Sequence, residues 1–246
     1  MNDKVKVSDI IAETLEKLEI THIFGIIGAG NVHLFESIAK RGYTEIVCVH
    51  HEQAATMAMQ TYYRTSGKIA ACLLTTGAGS TNGVTGVVSA WADSIPGLVI
   101  AGNENSKYIQ THNHNRMWGV QGYDSVDMVK KVTKYSHRVT SPEEATYELE
   151  KAAFLTLDQR PGPVWIEIPM DIQSSFIDPK DCNHYSIPAE KSFLTEQLSN
   201  QLDNIVHSLA SSERPVLWLG HGIRLAGANQ KIEQLLNLVH VPSLVS

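Results

Sequence analysis

Glu45-Ile46-Val47-Cys48-Val49-His50-His51-Glu52-Gln53-Ala54-Ala55-Thr56-Met57-Ala58-Met59 changes its hydrophobic period partway along. A β-branched run to Val49 reads as a strand, and from Gln53 to Thr65 the apolar residues recur at helical spacing. The same change is repeated outward in both directions. Ile23 to Ile27, Ile69 to Thr75, Gly97 to Ala101 and Pro163 to Ile168 read as strands, and Val32 to Ala39, Thr81 to Trp91 and Pro142 to Leu157 as helices. Strands that alternate with helices predict an α/β fold, a parallel sheet with helices on both faces. In such sheets ligands sit outside the carboxyl ends of the strands, so the loops after the strands are where chemistry is sought. Beyond Met170 the pattern lapses, with Pro179 and Pro188 in a polar stretch. This predicts a first domain over 1–175, a linker over 176–192 and a second unit over 193–246. In that unit Phe193 to Leu209 and Leu225 to Val239 read as helices, and Pro215 to Leu219 and Val241 to Val245 as strands. Two short strands bury little core, so the unit is expected to be the truncated start of a Rossmann-like domain.

Hydrophobic residues make up 43% of the 246, enough for a packed core, and the net charge of -6 offers no basic surface for nucleic acid. A small-molecule ligand is the better expectation. Cys48, Cys72 and Cys182 lie far apart without metal-ligand spacing, which fits a reducing, cytoplasmic compartment. No stretch approaches the roughly 20 apolar residues of a membrane helix, and no apolar leader opens the chain.

Three loops carry candidate chemistry. Gly25-Ile26-Ile27-Gly28-Ala29-Gly30 follows a strand, and its small residues permit close approach of a ligand to the backbone; a plain tight turn explains the same letters. His50-His51-Glu52 puts an acid at a helix N-terminus, which the helix dipole alone favours by about 0.3–1 kcal/mol. Adjacent histidines diverge and lack the i, i+4 spacing of a helical zinc pair, so a metal site there is disfavoured. Thr75-Thr76-Gly77-Ala78-Gly79-Ser80-Thr81-Asn82-Gly83 leads into a helix whose free N–H groups suit an anion or a polar ring edge, although a cap by Ser80 or Thr81 accounts for the letters equally well.

In sequence order these loops, with Asp93-Ser94-Ile95-Pro96, the run from Arg116 to Val129, Arg160-Pro161-Gly162-Pro163 and Gly220-His221-Gly222, resemble thiamine-diphosphate enzymes of the acetolactate synthase group. The resemblance implies a pyrimidine-binding domain followed by part of a central domain. It implies a carboligase or decarboxylase that takes a 2-keto acid such as pyruvate, forms a C2-carbanion adduct and transfers it to a carbonyl acceptor. Glu52 is then the catalytic acid that hydrogen-bonds N1′ of the aminopyrimidine and promotes its imino tautomer, whose nitrogen removes the thiazolium C2 proton. Ile26, Ile27 and Gly28 would line the pyrimidine pocket, and Ala78 and Asn82 would border the cofactor; family members usually carry proline where Ile27 and Ala78 stand. Tyr123 and Asp124 would face the substrate. Arg160, Gly220, His221 and Gly222 match positions that hold FAD in flavin-containing members.

Two departures concern the substrate. Tyr123-Asp124-Ser125 stands where a Phe-Gln-Glu run is usual, and Pro169-Met170-Asp171 where Pro-Lys-Asp is usual, which implies an acceptor other than that of acetolactate synthesis. His112-Asn113-His114-Asn115-Arg116 reads as a polar surface loop. Mg²⁺ is implied as the partner of the diphosphate, but the Gly-Asp-Gly motif that holds it does not occur in these residues. The chain alone is therefore expected to be inactive, with the metal held by a missing C-terminal domain. A homodimer or tetramer with the cofactor between subunits is implied as well. The residues alone leave two alternatives: a nicotinamide-linked oxidoreductase, and a non-catalytic nucleotide-binding module in which Glu52 is only a helix-terminal charge.

Overall fold

The computed structural model describes residues 4–109, 119–122, 124–189 and 196–246. Contacts divide the chain into two compact units, Met1–Ile187 and Pro188–Ser246. In the first unit β1 (Val5–Lys6) leads into α1 (Val7–Lys17), β2 (His22–Gly25), α2 (Val32–Arg41), β3 (Glu45–Cys48), α3 (Glu52–Ser66) and β4 (Ala71–Leu74). The chain continues through α4 (Ala78–Asn82), α5 (Val84–Ala92), β5 (Gly97–Asn103), α6 (Ser125–Val129), β6 (Tyr135–Arg138), α7 (Ala145–Leu157), β7 (Pro163–Pro169), α8 (Met170–Ser174) and β8 (Phe176–Ile177).

Six strands form one sheet in the order β3-β2-β4-β5-β7-β6, and every pairing within it is parallel. All residues of β4, β5 and β7 are buried, as strands covered on both faces must be. Their side chains divide by alternation. Ile23, Leu73, Leu98, Ile100, Val164 and Ile166 pack with Ile11 and Leu15 of α1, Leu34 and Ile38 of α2 and Leu149 of α7. Phe24, Cys72, Leu74, Val99 and Trp165 pack on the opposite face with Ala55 and Met59 of α3 and Val87 of α5. A register slip by one residue in any central strand would exchange the two cores. Truncating a fully buried side chain such as Leu15 to Ala costs about 2–5 kcal/mol.

The expected strands and helices stand in place with shifted ends. The helix expected from Leu225 begins at Asn229, and the start expected at Phe193 lies outside the described residues. Three further differences have a physical cause. β6 has the polar sequence Tyr-Ser-His-Arg and is half-buried throughout, because an edge strand has no apolar run to betray it. The expected helix from Thr81 to Trp91 is two helices, α4 and α5, that meet at Gly83, where a Cβ would press on Leu74 of the floor. Residues 176–187, expected as linker, belong to the first unit. β8 pairs antiparallel with β1, Asn183 N–H donates to Glu143 O at 2.8 Å, and the Tyr185 ring packs on Tyr147 and Phe154.

The second unit holds α9 (Glu196–Ser211), β9 (Leu217–Leu219), α10 (Gly222–Leu225), α11 (Asn229–Val239) and β10 (Ser243–Val245). β9 and β10 pair in parallel across α10 and α11, a βαβ unit. None of its described residues is buried, as expected of a sheet with two short strands. Among the described residues no helix is long and apolar enough to cross a membrane.

The three thiols differ sharply in environment. Cys48 is exposed at the end of β3, whereas burial pushes the Cys72 thiol far up in pKa, with a further contribution from the charge of Glu52. Burial also raises Cys182. Iodoacetamide on the native chain should label Cys48 first and Cys72 only after unfolding; peptide mapping by mass spectrometry reads the order, and rapid native labelling of Cys72 would contradict the packing of β4.

Candidate active site

The chain leaves β2 outward to β3 and then returns past β2 to β4, and the two crossovers run on opposite faces, through α2 and then α3. The sheet therefore has a topological switch point beside β2, where the loops diverge and leave a crevice. All three loops singled out in the sequence leave the strands that border it: Ile26–Gly30 after β2, His50–Glu52 after β3, and Thr75–Gly77 after β4.

Glu52 is the first residue of α3, and the His51 ring caps the helix by accepting from Gln53 N–H at 3.2 Å. The Glu52 carboxylate crosses to α4, where Asn82 Nδ2 donates to its Oε2 at 3.1 Å. Its Oε1 lies toward Gly79, where an added Cβ would come within 3.3 Å. One oxygen is thus oriented by an amide while the other keeps room for a partner.

The loop after β2 is held by side chains that the sequence reading did not single out. Asn31, fully buried, accepts from Gly28 N–H at 2.8 Å and donates to Ile26 O at 3.1 Å. Gly30 N–H donates to Thr75 Oγ1 at 3.2 Å, tying this loop to the one after β4. From below, the buried Gln173 donates to Gly30 O at 2.6 Å and to Ile168 O at 2.7 Å. A Cβ on Gly28 or Gly79 would collide with Thr75, and one on Gly102 with the Gly30 carbonyl. Gly28 and Gly79 are therefore demanded by the Thr75 side chain and Gly102 by the Gly30 backbone, and a plain turn would not require them.

Gly77 opens α4 at φ 63° and ψ -127° with no side-chain cap. The expectation of a Ser80 or Thr81 cap fails because both hydroxyls donate to carbonyls, Ser80 to Thr75 O and Thr81 to Ala78 O. Against Gly77 lies the Gln121 carboxamide, in the space a Cβ would need. An amide therefore reaches this loop from two residues before Tyr123, which itself lies outside the described residues, as does the stretch His112 to Arg116.

The remaining expected residues divide between the crevice and places apart from it. Ile26 is half-buried, while Ile27, Ala78 and Asn82 are exposed. Asp124 caps α6 by accepting from Asp127 N–H at 3.1 Å and pairs with Arg138 at 2.9 Å, so its carboxylate is committed to α6 and β6. Arg138 also binds the fully buried Glu167, which accepts from Ser125 Oγ. Arg160 Nε donates to Ser94 Oγ at 2.7 Å, before the strand starts of β5 and β7, at the end of the sheet away from Glu52. Gly220, His221 and Gly222 form the exposed turn between β9 and α10 in the second unit.

A switch-point crevice lined by loop glycines and one positioned carboxylate defines a cofactor-binding α/β domain. The chain belongs to the thiamine pyrophosphate enzyme family, whose N-terminal TPP binding domain matches residues 5–134. It is 30% identical over 243 residues to the probable acetolactate synthase large subunit of Methanocaldococcus jannaschii, covering 97% of this chain and 39% of that one. It is 29% identical over 238 residues to the chloroplastic acetolactate synthase 3 of Brassica napus, covering 96% and 35%, and 29% identical over 247 residues to the acetolactate synthase large subunit of Buchnera aphidicola, covering 97% and 41%. The chain thus spans about two fifths of the length of these relatives.

Gly77 and Gly42 both have positive φ, but only Gly77 is crowded. Gly42→Ala should cost about 1–2 kcal/mol, the left-handed backbone penalty alone, and Gly77→Ala about 1–3 kcal/mol more from overpacking. Urea unfolding of the two variants measures the difference; equal costs would remove Gln121 from the loop.

Proposed function

We propose that the complete protein is a thiamine-diphosphate-dependent carboligase or decarboxylase of the acetolactate synthase type, acting on a 2-keto acid such as pyruvate and a carbonyl acceptor. The carrying observation is the Glu52 carboxylate at the switch point, oriented by Asn82 over a floor of glycines. These residues fit the aminopyrimidine half of the cofactor, offering one acid for a ring nitrogen, close backbone approach at Gly28 and Gly79, and apolar cover from Ile26, Ile27 and Ala78. When bound, thiamine diphosphate supplies the carbon nucleophile and electron sink for bond changes next to a carbonyl.

Glu52 holds and returns a proton at N1′ of the ring. Asn82 fixes which oxygen faces the ring. We assign Gln121, whose carboxamide lies against Gly77, to the substrate side, where it supplies an amide near the run Tyr123-Asp124-Ser125. A nicotinamide-linked oxidoreductase is not favoured, since the family match covers all three loops.

Mg²⁺ does not fit these residues. Glu52 is the one carboxylate offered by the loops of the crevice, and no Gly-Asp-Gly occurs in the sequence. We assign the diphosphate and its Mg²⁺ to another region of the complete enzyme, and the second unit, a βαβ with no buried residue among those described, to part of a Rossmann-like central domain. FAD is the further cofactor that the resemblance implies, and flavin absorbance of the purified complete protein tests for it. The free thiols suit a reducing compartment such as the cytoplasm.

The crevice also faces solvent through Ile27, 58% exposed, and α3 and α5 expose Met57, Val88 and Trp91. We assign this surface to a homodimer, alone or paired into a tetramer, in which Glu52 of one subunit meets the diphosphate-binding region of the other. The complete protein with thiamine diphosphate, Mg²⁺ and pyruvate should release CO2 and yield a coupled product; inactivity toward a panel of 2-keto acids would overturn the reading. In mixed dimers a Glu52→Gln subunit should complement one disabled in its Mg²⁺ motif, because one of the two sites regains both parts. Verified heterodimers no more active than their parents would place each site within one chain.

A further inference from the structure

His137 lies on the edge strand β6 with its Nε2 buried and without a hydrogen-bond partner. Glu144 Oε1 stands 3.7 Å from that nitrogen and Glu148 Oε1 3.8 Å, and the ligand atoms of the three residues lie within 4.8 Å of one another. Glu144 and Glu148 are one helical turn apart at the start of α7, so both carboxylates reach the same face of the strand. The separations are too long for hydrogen bonds. They are close to the roughly 3.3 Å between ligand atoms that tetrahedral bonds of about 2.0–2.1 Å impose.

Each carboxylate is oriented from outside the cluster. Tyr135 Oη donates to Glu148 Oε2 and leaves Oε1 toward His137. Burial, and then the bond to Glu148, push the Tyr135 phenol up in pKa, so it remains the donor. Glu144 is held through Oε1 itself, which accepts from the Thr140 N–H and hydroxyl and from the Ser141 N–H. Such outer donors are what fix metal ligands in place. Lys151 lies on the far side, 3.9 Å from Glu148 Oε2 and 2.8 Å from Tyr135 Oη, where it bonds the phenol and leaves the His137 side of the carboxylate open. Glu148 is only 5% exposed, and with its Oε2 taken by Tyr135 and Lys151 its Oε1 is left facing the imidazole nitrogen, an arrangement that a shared cation satisfies.

We propose that His137, Glu144 and Glu148 bind one divalent transition-metal ion of the Zn²⁺ type, with water completing the shell, and that the ion staples edge strand β6 to α7. One imidazole and two carboxylates form a borderline ligand set that favours Zn²⁺ over Mg²⁺ or Ca²⁺. The competing occupant is a proton on His137, which would form ion pairs with both acids.

Calorimetric titration of ZnCl2 into the metal-stripped chain decides between them. One Zn²⁺ per chain with a Kd of 10 μM or tighter is expected, together with a rise in unfolding temperature that EDTA reverses. His137→Asn and Glu148→Gln, each shown folded by circular dichroism, should weaken binding at least tenfold. No binding to the unaltered chain at 100 μM Zn²⁺ would overturn the proposal whether or not the variants fold. So would stoichiometric binding unchanged in both, which would assign the ion to other histidines of the 11 in the sequence.

Discussion

The constraint on which the structure depends is the close approach of three backbone segments at the carboxyl edge of the sheet. Gly30, Thr76 and Gly102 come so near one another that a Cβ on Gly30 would overlap Thr76 and one on Gly102 the Gly30 carbonyl. The contact closes one end of the crevice, and buried amides hold it: Asn31 binds the loop after β2 to itself, and Gln173 binds Gly30 to the end of β7. Since a buried backbone polar group left unpaired costs about 1–3 kcal/mol, Asn31 and Gln173 each stabilise the loop by satisfying more than one such group. The loop after β2 is thereby set before any ligand arrives.

Glu52 depends on that floor. Strand β3 ends where α3 must begin, so the acid falls at the helix N-terminus, and the glycine at 79 leaves room for its carboxylate to cross to Asn82. A larger residue at 79 would displace the carboxylate or the Thr75 methyl. The chemistry assigned to Glu52 needs little more from this domain than orientation, a partner for one oxygen and an apolar cover.

The parallel sheet was legible in the sequence because its central strands are continuous apolar runs, and their alternation with amphipathic helices admits few other folds. Glu52, Gly28, Ala78 and Asn82 were legible from the order of the loops, and the structure brings Glu52, Gly28 and Asn82 to one crevice. β6 was not, because polarity conceals an edge strand. Asn31 and Gln173 were not, because a buried amide is recognised by the carbonyl or N–H it meets, and the letters do not show which backbone group, near or distant, that is. Gln121 escaped because nothing in the letters around it marks it, and its packing on Gly77 shows where the amide stands. The residues from 176 to 187 read as linker because their attachment is a few hydrogen bonds and ring contacts and not an apolar face.

If Glu52 holds the proton at N1′, the rate at which the cofactor exchanges its C2 hydrogen with solvent reports that single act, apart from substrate binding and product release. Measured by quenched-flow deuterium exchange and proton NMR on the complete holoenzyme, the exchange should fall at least about a hundredfold in Glu52→Gln, with cofactor affinity changed far less. An unchanged exchange rate in a variant that still binds the cofactor would contradict the account, leaving Glu52 a helix-terminal charge and the crevice a binding site without a catalytic acid.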